Sequence, residues 1–335
     1  MWLGFAALAT CRMVLIAVTY GYKRESPKMV IDQSASGSRI TSVWLWSKHA
    51  LPISLVAALV VVDRAWNASA RIFWELPIWE FLLPAILFAI SAAIFKRLPF
   101  GTRLPELSLY LCIWTFFSIF GLHLTYLAAT LDLPLRDAAL ARADQMLGFD
   151  WRNWHNDVVA NGPVLKTLIL AYESFSFEPI AIIAILALSG RGSNREFLLS
   201  AIFALVITTV LFAVLPAYGP DEAFGDISRW HPILDQLRAG QRGPMDFAGI
   251  ITFPSFHACL ALLYTIAVRG SRAGFLIVGA WNLLVLISCV PLGNHYLVDV
   301  IAGCCVAVIA WLLAKLMPAN PTNAWQTEQP RRLDA

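Results

Sequence analysis

Charged residues are scarce in this sequence. Asp, Glu, Lys and Arg make up 14% of its 335 residues and hydrophobic types make up 59%, whereas soluble proteins are about a quarter charged. The formal net charge of +3 is small and scattered, so nothing indicates a nucleic-acid partner. With a mean hydropathy of +0.66, most of the surface must contact lipid. The sequence therefore predicts an all-α, polytopic membrane helix bundle.

Signatures of metal and cofactor sites are missing as well. The six cysteines lie in apolar runs and form no Cys-x-x-Cys pair, so neither a disulfide framework nor a zinc site is indicated. There is no P-loop and no Gly-x-Gly-x-x-Gly run. We therefore expect no cofactor and no metal. The N-terminus lacks a basic region and a small-residue cleavage site, so residues 1–20 are predicted to be a retained first span.

Long apolar runs divide the chain into spans. A helix needs about 20 residues to cross the hydrocarbon layer, and apolar runs of this kind lie near residues 1–20, 43–62, 78–95, 105–131, 163–188, 196–216, 251–269, 273–291 and 294–315. The second run is the weakest, because Lys48 and His49 interrupt it. About nine spans are predicted.

The spans group into three regions. We expect three N-terminal helices of unknown role in residues 1–104, a six-helix core in 105–317 and a polar tail in 318–335. Within the core, segment 134–160 is polar with interspersed Leu and Trp, which indicates either an amphipathic helix on the outer membrane face or a solvated loop. Segment 217–250 is predicted to be an outer loop.

Basic residues lie in alternate connections between the spans. The basic connections carry Lys23, Arg24, Lys28, Arg39, Lys96, Arg97, Arg103, Arg191, Arg195, Arg269 and Arg272, and the tail carries Arg331 and Arg332. The intervening connections, 132–162 and 217–250, are rich in acidic residues. Because cytoplasmic loops carry an excess of Lys and Arg, this alternation predicts an outer N-terminus and a cytoplasmic C-terminus.

Two histidines lie where predicted spans begin on the outer side. His257 ends the run Phe-Pro-Ser-Phe-His at the start of the seventh span, and His295 lies in Gly-Asn-His-Tyr-Leu-Val-Asp at the start of the ninth. Both should therefore reach the same membrane face at a similar depth. Asp299 follows His295 by four residues and would share its helix face. A carboxylate there can accept the Nδ1–H of His295 and leave Nε2 free to attack.

Simpler explanations of these residues remain open. A histidine at the end of a span is commonly an interfacial or packing residue. A metal site would need a further ligand, and no His or Glu with ligand spacing lies near His257, His295 and Asp299. An Asp inside an apolar helix is harder to dismiss, because an ionisable group in the membrane is costly and usually functional.

Both histidine segments resemble signature motifs of a known family. Pro254-Ser255-Phe256-His257 and Gly293-Asn294-His295-Tyr296-Leu297-Val298-Asp299-Val300 are similar to the second and third motifs of the type 2 phosphatidic acid phosphatase superfamily. Phe256 replaces a glycine of that pattern, Cys289 replaces its phosphate-binding arginine, and the first motif is absent. These departures, together with segment 235–240, resemble the branch of inositolphosphorylceramide synthases and related inositol phosphotransferases. The resemblance covers residues 105–315.

The resemblance implies a mechanism without metal or nucleotide. His295 would attack phosphorus and form a phosphohistidine, Asp299 would orient the ring, and His257 would protonate the leaving oxygen and then deprotonate the acceptor. The partners would be membrane lipids: a phospholipid donor, and a lipid alcohol or water as acceptor. A lipid alcohol makes the enzyme a lipid phosphotransferase acting on the extracytoplasmic face, and water makes it a lipid phosphate or isoprenoid pyrophosphate phosphatase.

The proposed chemistry also requires side chains that bind the phosphate. The transition state carries negative charge and needs fixed positive groups. Arg238 and Arg242, in the outer loop before His257, are the predicted phosphate ligands. Asn294, Tyr218 and Ser255 are further candidates for substrate binding.

Other polar residues within the predicted spans leave a second class of function open. Arg12, His123, Glu173 and Glu178 are expected to face protein or water rather than lipid. They fit either a headgroup path to His295 or structural pairs between helices. A transporter or an inactive scaffold is therefore the non-enzymatic alternative.

Overall fold

The protein is described by a computed structural model that covers residues 37–72, 103–221, 231–241 and 248–317, with side chains from His49 onward. The predicted spans 1–20 and 78–95 and the tail 318–335 lie outside these residues. All regular structure in the described residues is α-helical, which confirms the predicted all-α class.

Eleven helices lie in the described residues. They are α1 (Gly37–Ala70), α2 (Arg103–Ala129), α3 (Asp137–Met146), α4 (Trp151–Ala160), α5 (Gly162–Ser174), α6 (Glu178–Ser189), α7 (Asn194–Val214), α8 (His231–Arg238), α9 (Phe256–Ala267), α10 (Arg272–Leu292) and α11 (Leu297–Leu316).

Five of these helices are long and apolar enough to cross a bilayer: residues His49–Ala70 of α1, and the whole of α2, α7, α10 and α11. Helices α5 and α6 meet at 60° and together could form one broken span. Helix α9 is apolar but has only 12 residues. This arrangement confirms a polytopic helical membrane protein.

Two predicted spans differ from the observed helices. The second span was predicted at 43–62; this range lies within α1, which continues to Ala70. His49 does not interrupt this helix, because its Nδ1 is 2.7 Å from the Tyr110 hydroxyl in a buried hydrogen bond with α2. The fifth span was predicted to be continuous, but it breaks after Ser174, and Glu178-Pro179 begins a new helix with proline in its first turn.

The connections that were predicted to lie on the outer side also contain more structure than expected. Segment 134–160 forms two helices, α3 and α4, instead of one. Gly148 adopts a left-handed φ of 73° between them, a conformation that favours glycine and ends the first helix. The loop 217–250 includes the short helix α8, and the non-helical residues 248–255 lead into α9.

The short helix α9 lies inside the bundle and contacts α6, α7, α10 and α11. Its N-terminus is tied to α11, because Ser255 N donates a 3.0 Å hydrogen bond to the backbone oxygen of Asp299. Gly303, one turn further along α11, makes this approach possible, since a Cβ there would collide with the Ser255 carbonyl oxygen and meet the Ala258 Cβ at 3.2 Å. The starts of α9 and α11 therefore form one rigid unit.

Basic side chains gather at the opposite end of the bundle. The termini there carry Arg103, Arg191, Arg195, Arg269, Arg272 and Lys315. Arg269 forms a 2.8 Å ion pair with Glu196, and Glu196 also accepts a 2.7 Å hydrogen bond from Trp311 Nε1. The end that begins α9 and α11 is instead rich in aspartate, with Asp132, Asp137, Asp144, Asp150, Asp157, Asp221 and Asp235.

We predict that Gly303→Ala destabilises the protein by about 1–3 kcal/mol, the usual cost of overpacking a tight contact. The added methyl group forces α11 away from the N-terminus of α9. The midpoint of thermal unfolding in detergent should fall. Gly162→Ala is the matched control, because a Cβ at this position meets nothing within 4 Å. An unchanged midpoint for Gly303→Ala would show that the two helices are not tightly packed there.

Candidate active site

His257 is held in the first turn of α9. Ser255 caps this helix by accepting a 3.2 Å hydrogen bond from Ala258 N. The His257 ring stacks on Tyr172, with centroids 5.1 Å apart and planes 18° apart, and its centroid is 4.2 Å from that of Phe175. The end of α5 and the break that follows it therefore fix the orientation of this ring.

His295 lies in the connection just before α11 and is buried, with 2% of its surface exposed. Its Nδ1 is 2.9 Å from the Thr252 carbonyl oxygen. A carbonyl oxygen can only accept a hydrogen bond, so Nδ1 carries the hydrogen and the Nε2 lone pair is free. This is the tautomer that a nucleophilic histidine needs.

The partner of this ring nitrogen differs from the expected one. The sequence predicted that Asp299 accepts the Nδ1–H of His295, but Asp299 Oδ2 lies 3.5 Å from Nδ1 and the Thr252 carbonyl takes the hydrogen bond. The reason is that α11 begins at Leu297, so His295 is not on the helix that carries Asp299.

Asp299 is completely buried in the first turn of α11. Its Oδ2 accepts a 2.9 Å hydrogen bond from Tyr296 N and so helps to cap the helix. Its Oδ1 has no hydrogen-bond partner among the described residues. A buried carboxylate beside an imidazole stabilises a positive charge that develops on that ring.

The two histidines face each other across one cavity. Their ring centroids are 6.2 Å apart and their planes are tilted by 59°. Both rings line a cavity of about 780 Å³, a size typical of sites for small molecules. The arrangement places both histidines at the same end of the bundle.

The wall of this cavity is mainly apolar and aromatic. It includes Trp114, Phe117, Leu122, Phe175, Leu205, Ile233, Phe256 and Leu260, with polar positions at Glu173, Ser176 and Thr252. No Lys or Arg belongs to the wall within the described part of the chain. The cavity can therefore hold an apolar group. Among the described residues, its ionisable side chains are the two histidines, Tyr172, Tyr264 and Glu173.

Asp144 of α3 contacts the same motif and was not singled out from the sequence. Its two carboxylate oxygens accept hydrogen bonds from Leu297 N at 2.8 Å and Val298 N at 2.9 Å. These are N–H groups that the first turn of a helix leaves without a partner. Burial raises the pKa of Asp144, and the two hydrogen bonds act in the opposite direction.

Asp137, two turns earlier on α3, fixes a second segment. It accepts hydrogen bonds from Tyr218 N at 3.0 Å and Gly219 N at 2.9 Å, and the Tyr296 hydroxyl lies 3.3 Å from it. Asp137 and Asp144 are seven residues apart, so both point from one face of α3. This helix therefore holds the turn after α7 and the start of α11 together.

Of the two predicted arginines, only Arg238 belongs to the described residues, and it does not reach the cavity. Arg238 forms a 2.8 Å ion pair with Asp132 and donates a 2.9 Å hydrogen bond to the Leu133 carbonyl, and it is not part of the cavity wall. Arg242 lies outside the described residues.

The remaining predicted ligands hold the surrounding loops. Asn294 has a left-handed φ of 53°. Its side chain accepts a hydrogen bond from Asp221 N and donates one to the Tyr218 carbonyl, each at 3.0 Å. The Tyr218 hydroxyl donates to Asp235. Ser255 is the helix cap described above. The structure thus gives Asn294, Tyr218 and Ser255 contacts that shape the site, and none of them lines the cavity.

The other polar residues predicted within spans fall into two groups. His123 pairs with Asp63 of α1 at 2.5 Å, and Glu178 is buried 3.3 Å from Ser174 Oγ, so both belong to contacts between or within helices. Glu173 instead lines the cavity. Arg12 lies outside the described residues.

Comparison with known proteins identifies the family. A family model described as the PAP2 superfamily matches residues 138–313, which is more than half of the chain. The chain therefore belongs to the PAP2 superfamily. The matched range includes Asp144, both histidines and Asp299. No curated protein and no solved structure gives a match to the chain, and the closer resemblance to inositolphosphorylceramide synthases stays a prediction.

We predict that Asp144→Ala exposes the start of α11. Removing the carboxylate leaves two backbone N–H groups without their acceptor, at a cost of about 1–3 kcal/mol. Amide exchange at Leu297 and Val298 should accelerate, and Asp144→Asn, which keeps one acceptor oxygen, should give an intermediate rate. Asp157→Ala, at an exposed position of α4, is the control. Exchange rates equal to those of the wild type in Asp144→Ala would contradict the assigned role.

Proposed function

We propose that this protein is an integral membrane lipid phosphotransferase that moves a phosphate-containing headgroup between lipids through a phosphohistidine on His295. Membership of the PAP2 superfamily supports a phosphatase-type or phosphotransferase-type enzyme acting on lipid phosphates. The observation that carries the proposal is the pair His257 and His295 on one cavity, with the lone pair of His295 on Nε2.

In the first half of the proposed reaction, His295 Nε2 attacks phosphorus and the bond between phosphorus and the leaving oxygen breaks. His257 supplies the proton to that oxygen. The His295 ring becomes positively charged when the N–P bond forms, and the buried Asp299 carboxylate, 3.5 Å from Nδ1, stabilises this charge. The Thr252 carbonyl keeps the ring in its reactive orientation.

In the second half, an acceptor hydroxyl replaces the leaving group. Its proton passes to His257, its oxygen bonds to phosphorus, and the N–P bond to His295 breaks. A lipid alcohol gives a new phospholipid, and water gives the phosphatase reaction. The two reactions use the same three side chains.

The surroundings of the cavity support the proposed lipid substrate and the proposed side of action. The apolar wall suits a lipid chain or backbone next to the histidines. The histidines lie at the end of the bundle opposite the basic cluster of Arg103, Arg191, Arg195, Arg269 and Arg272. Because basic ends face the cytoplasm, we infer an extracytoplasmic active site and a cytoplasmic C-terminus.

One assay tests the function most broadly. The purified protein is given phosphatidic acid, an isoprenoid pyrophosphate, and phosphatidylinositol with ceramide, and the consumption of each is followed. Transfer of the headgroup from phosphatidylinositol to ceramide would support the branch related to inositolphosphorylceramide synthases. Release of inorganic phosphate alone would establish the phosphatase alternative. Activity restricted to water-soluble phosphates would contradict a lipid substrate.

We predict that His295→Ala abolishes turnover, because the nucleophile is lost. His257→Ala should slow turnover by about 10²–10⁴-fold, the usual contribution of a positioned acid–base group. Asp299→Asn should also slow it while the protein still folds. Initial rates on the lipid identified above measure all three.

The control for these variants is His155→Ala. His155 lies on α4, where its Nδ1 is 3.1 Å from the Pro291 carbonyl, and it does not line the cavity. Its activity should stay near that of the wild type. Full activity of a correctly folded His295→Ala variant would eliminate the phosphohistidine mechanism.

We predict that Arg238→Ala raises KM and lowers kcat together, because a contact with phosphate strengthens as charge develops. The Asp132 carboxylate that now binds Arg238 is 56% exposed, and exposed ion pairs contribute only about 0–1 kcal/mol. A phosphate group can therefore compete for the guanidinium. Arg142→Ala, an exposed arginine on α3, is the control. A normal kcat/KM for Arg238→Ala would shift the role to Arg242 or to Arg229, another arginine of the predicted outer loop.

A further inference from the structure

Glu173 lies in the last turn of α5, where the broken span changes direction. The preceding residue, Tyr172, stacks on His257, and the following one, Ser174, is buried and accepts a 2.8 Å hydrogen bond from Trp281. Glu173 itself is exposed and lines the cavity with both histidines. Glu173 therefore belongs to the wall of the proposed active site, where its exposed side chain is accessible to a ligand.

Within the described residues, the carboxylate of Glu173 forms no ion pair and accepts no hydrogen bond. Glu178 differs from Glu173 in both respects. It is buried, and its carboxylate lies 3.3 Å from the Ser174 hydroxyl. An ionisable group at membrane depth is costly and is usually retained for function. Among Asp, Glu, Lys and Arg in the described cavity wall, Glu173 stands alone.

The chemistry of a carboxylate limits what it can bind. An ionised carboxylate only accepts hydrogen bonds, and it repels the phosphate that the histidines bind. Its ligand must therefore be a group that donates a hydrogen bond and that enters the cavity with the phosphate. An acceptor alcohol is such a group in the second half of the proposed reaction.

We propose that Glu173 binds the acceptor lipid and favours transfer over hydrolysis. This inference rests on the proposed function. During transfer, the attacking hydroxyl gives its proton to His257, its oxygen bonds to phosphorus and the N–P bond to His295 breaks. That hydroxyl is thus already engaged, so Glu173 accepts a hydrogen bond from a second donor on the same molecule.

This requirement defines the class of acceptor. It is a lipid alcohol with a further hydroxyl or an amide N–H close to the attacking hydroxyl. A simple fatty alcohol lacks the second donor, and water carries no donor group other than its attacking oxygen. Glu173 is therefore a specificity-determining residue, whereas the histidines carry out the chemistry.

The experiment compares three acceptors in one assay. The full-length protein in mixed micelles receives phosphatidic acid or phosphatidylinositol as donor, with ceramide, hexadecanol or water alone as acceptor. Ceramide carries a second hydroxyl and an amide N–H, and hexadecanol carries neither. The wild type, Glu173→Gln, Glu173→Ala and the exposed control Asp157→Asn are tested. The readout is the ratio of transferred product to hydrolysed product for each acceptor.

The ratio for ceramide should fall about tenfold or more in both Glu173 variants, in line with the loss of a hydrogen bond to a charged group. Hydrolysis and the ratio for hexadecanol should stay close to those of the wild type, and Asp157→Asn should change none of them. Partial recovery of the ceramide ratio in Glu173→Asp would support the proposal further.

Four results would overturn the proposal, and the last of them would also reject the proposed function. An unchanged ratio for ceramide in Glu173→Ala would show that Glu173 does not contact the acceptor. An equal loss of transfer and hydrolysis would show that Glu173 has only a structural role. Hydrolysis by the wild type without transfer to ceramide or hexadecanol rejects the acceptor site, while the proposed histidine chemistry stands. A wild-type protein that neither transfers nor hydrolyses a lipid phosphate rejects the proposed function itself.

Discussion

The rest of the site depends on the contact between the starts of α9 and α11. Ser255 N donates to the Asp299 carbonyl at 3.0 Å, and the Thr252 carbonyl lies 2.9 Å from His295 Nδ1. These two hydrogen bonds run in opposite directions between the same two segments. They fix the distance between the histidines and select the tautomer of His295 at the same time. The close approach requires a residue without a Cβ at Gly303.

Carboxylates stabilise this contact from several sides. Asp144 and Asp299 accept the first N–H groups of the α11 segment, where the positive end of the helix dipole favours negative charge. Asp137 holds the turn that Asn294 also contacts. Placing these groups around a nucleophilic imidazole favours the positive charge that forms on it. The same negative surroundings disfavour phosphate, so an enzyme of this kind needs an opposing cation, for which Arg238 is our proposal.

The sequence predicted the features that depend on local pattern. Low charge and long apolar runs gave the helical membrane class, and the alternation of spans placed His257 and His295 at one end. Contacts between distant segments could not be predicted, because the hydrogen bond that Leu297 N donates to Asp144, 153 residues away in the chain, leaves no spacing signal. The predicted hydrogen-bond partner of His295 Nδ1 was wrong, because the predicted span that contains α11 began too early. The break before α6 did have a signal, Pro179, which favours the first turn of a new helix.

Direct detection of the covalent intermediate tests the central claim most closely. The purified protein is mixed briefly with a lipid substrate labelled at phosphorus, quenched in base and digested for mass spectrometry. A phosphohistidine is stable in base and labile in acid. The account predicts acid-labile label on the peptide containing His295, and none in His295→Ala. Turnover of the lipid with no label on that peptide, or with label on another residue, would contradict it.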